Sequence, residues 1–153
     1  MMHSISSLLS VAARFLTLVL FFSTLQACAL VPTTPYDSST DKSITRLQKR
    51  TAQHFVALAA LQGAGPCDYA EFTDFYDDSA VAFGGLLVRA KALPRNGVTV
   101  EQLLLLQSSF ESLAKLHLLG CLSPVQVVDV WRSFDTSFSA ILRLELAKKY
   151  GRE

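Results

Sequence analysis

Gly120-Cys121-Leu122-Ser123-Pro124-Val125-Gln126 closes one helix and opens the next within seven residues. Glycine tolerates the left-handed backbone that commonly ends a helix. The Ser123 hydroxyl is placed to accept from the backbone N–H of Gln126, and the Gln126 side chain to reach back to the N–H of Ser123, a reciprocal capping box. Pro124 falls at the first helical position, where its missing N–H is one the helix leaves open anyway. Leu122, just before the cap, can staple to Val127. A turn this short makes the two helices it joins antiparallel neighbours.

Working outward, Val127, Trp131, Phe134, Phe138, Ile141 and Leu142 form a broad apolar seam downstream. That helix runs about 27 residues to Gly151, roughly 40 Å, and Lys148 and Lys149 suit its C-terminal dipole. Upstream, Thr99 and Gln102 form a second candidate capping box, with Val98 stapling to Leu103. The helix they open runs to about Leu119 on an inner stripe of Leu103, Leu106, Phe110, Leu113 and His117. Leu105, Leu116 and Leu119 point the other way, separated by Ser109 and Ser112. A helix apolar on two sides sits deep or meets a partner.

Two earlier helices follow the same grammar. The first spans Lys42 to Leu61 with Ile44, Leu47, Thr51, Phe55 and Leu58 on one face, and Gly63-Ala64-Gly65-Pro66 stops it. Lys42, Arg46, Lys49, Arg50 and Gln53 fill its opposite face, a solvated surface rather than a docking patch. The second opens on Asp68 with Glu71 three residues on, an N-cap and its reciprocal partner, and ends near Pro94. Its stripe is Phe72, Phe75, Tyr76, Ser79, Phe83, Leu86 and Ala90. Its back carries Val81, Gly84, Gly85 and Val88 where polar residues are expected. Adjacent glycines cost a helix interior roughly 2 kcal/mol against alanine. They imply either close approach of a partner helix or a kink, and the sequence leaves both open.

The first 27 residues read as a leader: Arg14 flanks a short apolar core, Phe15-Leu16-Thr17-Leu18-Val19-Leu20-Phe21-Phe22, too short to span a bilayer. Leu25-Gln26-Ala27-Cys28 resembles the lipobox of bacterial lipoproteins, with Gln26 a less usual occupant of its position. The resemblance implies removal of the leader, acylation of Cys28 with palmitate-type chains, and permanent attachment without a transmembrane helix. Ala29 rather than Asp after the cysteine implies the inner face of the outer membrane, facing the periplasm, in a Gram-negative host. Residues 28–41, with Pro32 and Pro35, then read as the lipidated cysteine and a flexible tether, and 42–153 as the folded domain.

Four amphipathic helices with short turns predict an all-α, up-down-up-down four-helix bundle. With Cys28 acylated, Cys67 and Cys121 remain as a pair in an oxidising compartment, where a disulfide is the default and two free thiols the alternative. Cys67 lies in the first turn and Cys121 in the third, which an up-down bundle brings to one end. The tether, the Pro94 turn and the C-terminus fall at the other, membrane-facing end.

Removing the leader leaves 126 of the 153 residues, one domain's worth, with 13 basic residues (Arg14 being lost) against 13 acidic. That balance argues against nucleic acid as a partner. No nucleophile elbow, phosphate loop or haem-attachment motif occurs, so no catalytic residue and no cofactor is assigned, and the chain reads as non-enzymatic. His54 and His117 read as satisfied core histidines rather than metal ligands, because the carboxylate–His motif of di-metal bundles is absent. Asp68, Glu71, Asp74, Asp77 and Asp78 run along a helix rather than around a loop, so calcium is not expected either.

The expected function is a membrane-anchored interaction or scaffold module for a protein partner in the envelope, or for self-association. Its candidate face is Val81, Gly84, Gly85 and Val88 together with Leu105 and Leu116. The plan resembles that of the pilotins, small helical lipoproteins that escort secretin subunits, in size, anchor and disulfide; no pilotin motif occurs. The alternative is a periplasmic inhibitor or immunity protein against a toxin or hydrolase, and a weaker third is a carrier of an apolar ligand.

Overall fold

The computed structural model describes residues 34–151. The leader and Cys28 lie outside the described residues. Four long helices make up the domain: α1 Ser38–Leu61, α2 Thr73–Ala92, α3 Gly97–Leu118 and α4 Pro124–Tyr150. A 3-10 turn, Tyr69–Phe72, leads into α2. Among the described residues there is no strand.

Each helix packs on its neighbours in sequence, and α1 also packs on α4, while the backbones of α1 and α3, and of α2 and α4, stand diagonally across the core. The stripes expected on the helices supply the core. Ile44, Leu47, Phe55 and Leu58 come from α1, Phe83 and Leu86 from α2, Leu103, Leu106, Phe110 and Leu113 from α3, and Val127, Phe134, Phe138 and Ile141 from α4. Phe110 is the hub: its ring centroid lies 5.0 Å from Phe83 and 4.8 Å from Phe134, edge to face in both cases. Each such aromatic contributes about 1.5–3 kcal/mol by burial, and edge-to-face pairing adds about 1 kcal/mol.

The ends of the helices separate the capping expectations. The Ser123–Gln126 box forms with Pro124 in place, and Leu122 and Val127 are both buried beside it. The Asp68–Glu71 box does not form: Asp68 opens the 3-10 turn without a side-chain cap bond, and α2 starts only at Thr73. The Thr99–Gln102 box does not form either. The N-cap is Asn96, three residues earlier, which puts Thr99 inside the helix with its hydroxyl taken by Glu145 and Lys148.

The boundary expected for the tether is also too late. Asp37 caps α1 by accepting from Thr40 N at 2.9 Å and from the Thr40 hydroxyl at 2.6 Å, Tyr36 donates its hydroxyl to Asp41, and Thr34 is buried. Residues 34–41 therefore pack as part of the domain instead of trailing from it. Local hydrogen bonding at Asp37 and Thr40 outweighs the coil-favouring composition that suggested a linker.

Cys67 and Cys121 are joined by a disulfide, with Cα atoms 5.3 Å apart. It bridges a sequence separation of 54 residues, and loop-closure entropy makes such a bridge worth about 4 kcal/mol.

Candidate interaction face

The outer face of α2 follows from where its stripe goes. Ser79, Phe83, Leu86 and Ala90 are buried, so at about 100° per residue the side opposite them carries Val81, Gly84, Gly85 and Val88. Val81 is 76% exposed and Val88 73%. A Cβ built on Gly84 or Gly85 meets nothing within 4 Å. The domain's own packing therefore requires neither glycine.

Beside this face a groove runs between α1 and α2, floored by Leu47 and Leu86 and walled by Val81 and Gly85. Two ion pairs cross from α1 or its cap to α2. Asp37 takes Arg89 through both carboxylate oxygens, at 2.5 and 2.6 Å, and Arg50 meets Asp78 at 3.1 Å. The Arg89 guanidinium, aided by Thr40, holds the Asp37 carboxyl well below the usual carboxylate range, and Asp37 in turn raises Arg89. Both pairs are at the surface, where solvent screening keeps their contribution small.

The other two residues expected on this face go elsewhere. Leu105 is 64% exposed on α3, and Leu116 is half-buried in a serine-lined groove between α3 and α4, with Ser109, Ser112 and Ser133. That groove does not include α2, so the structure gives two separate apolar surfaces rather than one.

The two histidines meet near the disulfide, their ring centroids 6.3 Å apart. His117 is fully used. Its Nε2 lies 2.7 Å from the Cys67 carbonyl, which only accepts, so Nε2 carries the hydrogen, and Nδ1 accepts from the Tyr76 hydroxyl at 2.7 Å. Burial pushes the Tyr76 phenol up. His54 departs from the satisfied core histidine expected of it. It stacks on Phe75 at 3.7 Å, is edged by Phe72 and Tyr76, and its buried Nε2 has no hydrogen-bond partner. Burial, and secondarily His117, lowers its pKa from 6.5 to about 3. No group of three metal-ligating side chains occurs among the described residues.

A second polar cluster was not foreseen. The Lys148 ammonium donates to Glu145 Oε1 at 2.6 Å, Thr99 Oγ1 at 2.6 Å and Asn96 Oδ1 at 2.8 Å, which matches its three hydrogens. Asn96 in turn donates to the Ala90 carbonyl at 2.9 Å. By sequence Lys148 suits the C-terminal dipole of α4. It is also buried and ties the last turns of α4 to the start of α3 and the end of α2.

Among the described residues no helix is long and apolar enough to cross a membrane. Compared with family models, with curated proteins and with solved structures, the chain matches none of them.

Proposed function

We propose that the protein is a non-enzymatic lipoprotein, anchored by acyl chains on Cys28 to the periplasmic face of the outer membrane, whose helical domain binds a protein through the outer face of α2. The observation that carries this reading is the α2 surface itself. Two valines stand in solvent on either side of two glycines that cost the helix stability, and the monomer makes no use of those glycines. Removing side chains at that spot lets another backbone come close.

The domain supports this role as an up-down-up-down bundle. Residue pairings across each helix contact fall in one number as they rise in the other: Arg50–Asp78 and Asp37–Arg89 between α1 (with its cap) and α2, Tyr76–His117 and Phe83–Phe110 between α2 and α3. Phe110–Phe134 and Thr99–Glu145 do the same between α3 and α4. Antiparallel packing of neighbours gives this pattern. The turns before α3 and α4 are short, the longer connection before α2 is pinned by the disulfide at Cys67, and both grooves are open clefts rather than enclosed ligand cavities, which favours a surface contact over an inserted loop or an enclosed ligand.

The test is site-specific photo-crosslinking in the native host. A photoreactive side chain at Val81 is expected to capture a protein, and one at exposed Glu101 on α3 to capture none. Silence at Val81, or equal capture at both positions, overturns the assignment of the face. Cys28→Ser is expected to move the protein into the soluble fraction; continued membrane partitioning overturns the anchor.

A further inference from the structure

We infer that the occupant of the α2 face is a second copy of this chain, docked two-fold and antiparallel, with the symmetry axis passing between Gly84 and Gly85. This rests on the reading of that face as a protein-binding surface, and it names the partner. The face complements itself.

About a midpoint between Gly84 and Gly85, an antiparallel copy sets each residue against the one equally far on the other side. Gly84 then comes opposite Gly85 of the second copy, Val81 faces Val88, and Asp77 falls within one residue of Lys91 on the same side of the seam. All six residues are exposed on α2. Val81 and Val88 differ by about 20° around the helix and so share one line down its outer side. The glycines flank that line at its centre, which is where two crossing helices come nearest. Acidic residues occupy the first half of α2 (Asp74, Asp77, Asp78) and basic ones its end (Arg89, Lys91).

The charges choose between the two ways a pair of identical helices can dock. A parallel pair puts Asp77 against Asp77 and Lys91 against Lys91, and like charges held close together repel. The antiparallel pair sets each carboxylate against an ammonium and also opposes the two helix dipoles favourably. An isologous contact of this kind closes on itself and stops at two copies. It also answers the choice left open by the sequence, because close approach now accounts for two adjacent glycines without a kink.

The pairing sends the two copies' α1 starts to opposite ends of the dimer. Both chains reach one leaflet when the two-fold axis stands along the membrane normal and the helices lie parallel to the surface. That differs from a bundle standing upright with its disulfide end pointing away from the lipid.

Cysteine crosslinking in the envelope tests this, using the full-length chain in two differently tagged copies. One copy carries Val81→Cys and the other Val88→Cys. Under mild oxidation the 81–88 pair is expected to give a mixed-tag dimer at least ten-fold above 81–81 or 88–88, whose partners stand ~10 Å out of step along the helix. Gly85→Leu is expected to abolish the dimer while the helical circular dichroism and the Cys67–Cys121 bond persist. Asp77→Lys is expected to weaken crosslinking, and addition of Lys91→Asp to restore it. Equal yields from all three cysteine pairs overturn the two-fold geometry. Adducts only with other proteins overturn self-pairing while the face keeps its protein-binding role, and no adduct of any kind overturns both.

Discussion

Lys148 holds its ammonium 2.6 Å from the carboxylate of Glu145, one turn back on the same helix, and both side chains are almost wholly shut off from solvent. An i,i+3 pair of this kind on a helix surface contributes a few tenths of a kcal/mol. Here the pair sits under the α2–α3 turn, and Asn96 and Thr99 supply the rest of the ammonium's partners. Removing one member therefore strands a buried charge. Lys148→Met is expected to cost about 3–5 kcal/mol in urea unfolding, whereas Lys148→Met with Glu145→Leu recovers most of that loss. Equal losses in the single and double variants would show that the cluster contributes through packing alone.

His54 sets the response to acid. Its folded pKa of about 3 lies below the unfolded value of 6.5, so between those values the unfolded chain takes a proton that the folded one refuses. Stability is unaffected above pH 6.5 and falls as pH drops towards 3, by up to about 1.4 kcal/mol per pH unit. The window lies mostly above that of Asp37, whose depressed pKa removes stability only below the usual carboxylate range near 3.8. His54→Phe is expected to keep the stack on Phe75 and to flatten the stability profile between pH 6.5 and 4.5. A profile identical to the unsubstituted chain would locate the acid sensitivity elsewhere.

The disulfide closes a long loop at the turns preceding α2 and α4. Cys67→Ala with Cys121→Ala is expected to lower stability by about 4 kcal/mol with little change in far-UV circular dichroism. Thermal unfolding with and without reductant checks it: reductant shifts the midpoint of the native chain and leaves the double variant unmoved.

Gly84 offers a prediction of opposite sign. Alanine there meets nothing within 4 Å and belongs to an exposed helix interior, so Gly84→Ala is expected to stabilise the isolated domain by about 1 kcal/mol. Urea unfolding of monomeric protein in dilute solution reads this directly. A loss of stability would show that α2 needs the glycine for its own backbone.

The four helices and their buried faces were legible because apolar residues recur at the helical period, and a single period decides what is buried. Ser123-Pro124-Val125-Gln126 was legible because all its parts are local. Thr99 and Gln102 carry the same letters at the same spacing, but Glu145 and Lys148 compete for the Thr99 hydroxyl from 46 and 49 residues away. Spacing along the chain does not register that competition. For the same reason the place of Lys148 near a helix end signals the dipole it suits and not its burial. The missing partner of His54 also depends on where α2 places Phe72, Phe75 and Tyr76. On the α2 face the two glycines and two valines were visible in the sequence; that Leu105 and Leu116 lie on other surfaces was not, because helix rotation about its axis is settled only by packing.

The Asp37–Arg89 pair also has a mechanical meaning. The chain enters α1 at Ser38, and at that entry the N-cap is clamped to the last turns of α2 through two short bonds. Tension applied from the N-terminal side reaches the clamp before it reaches the helix. Part of the pull passes across to α2, and the rest acts along α1 as shear against its neighbours rather than peeling its first turn away. Were Cys28 the anchor proposed above, drag on the domain would meet two helices held together where the chain enters α1.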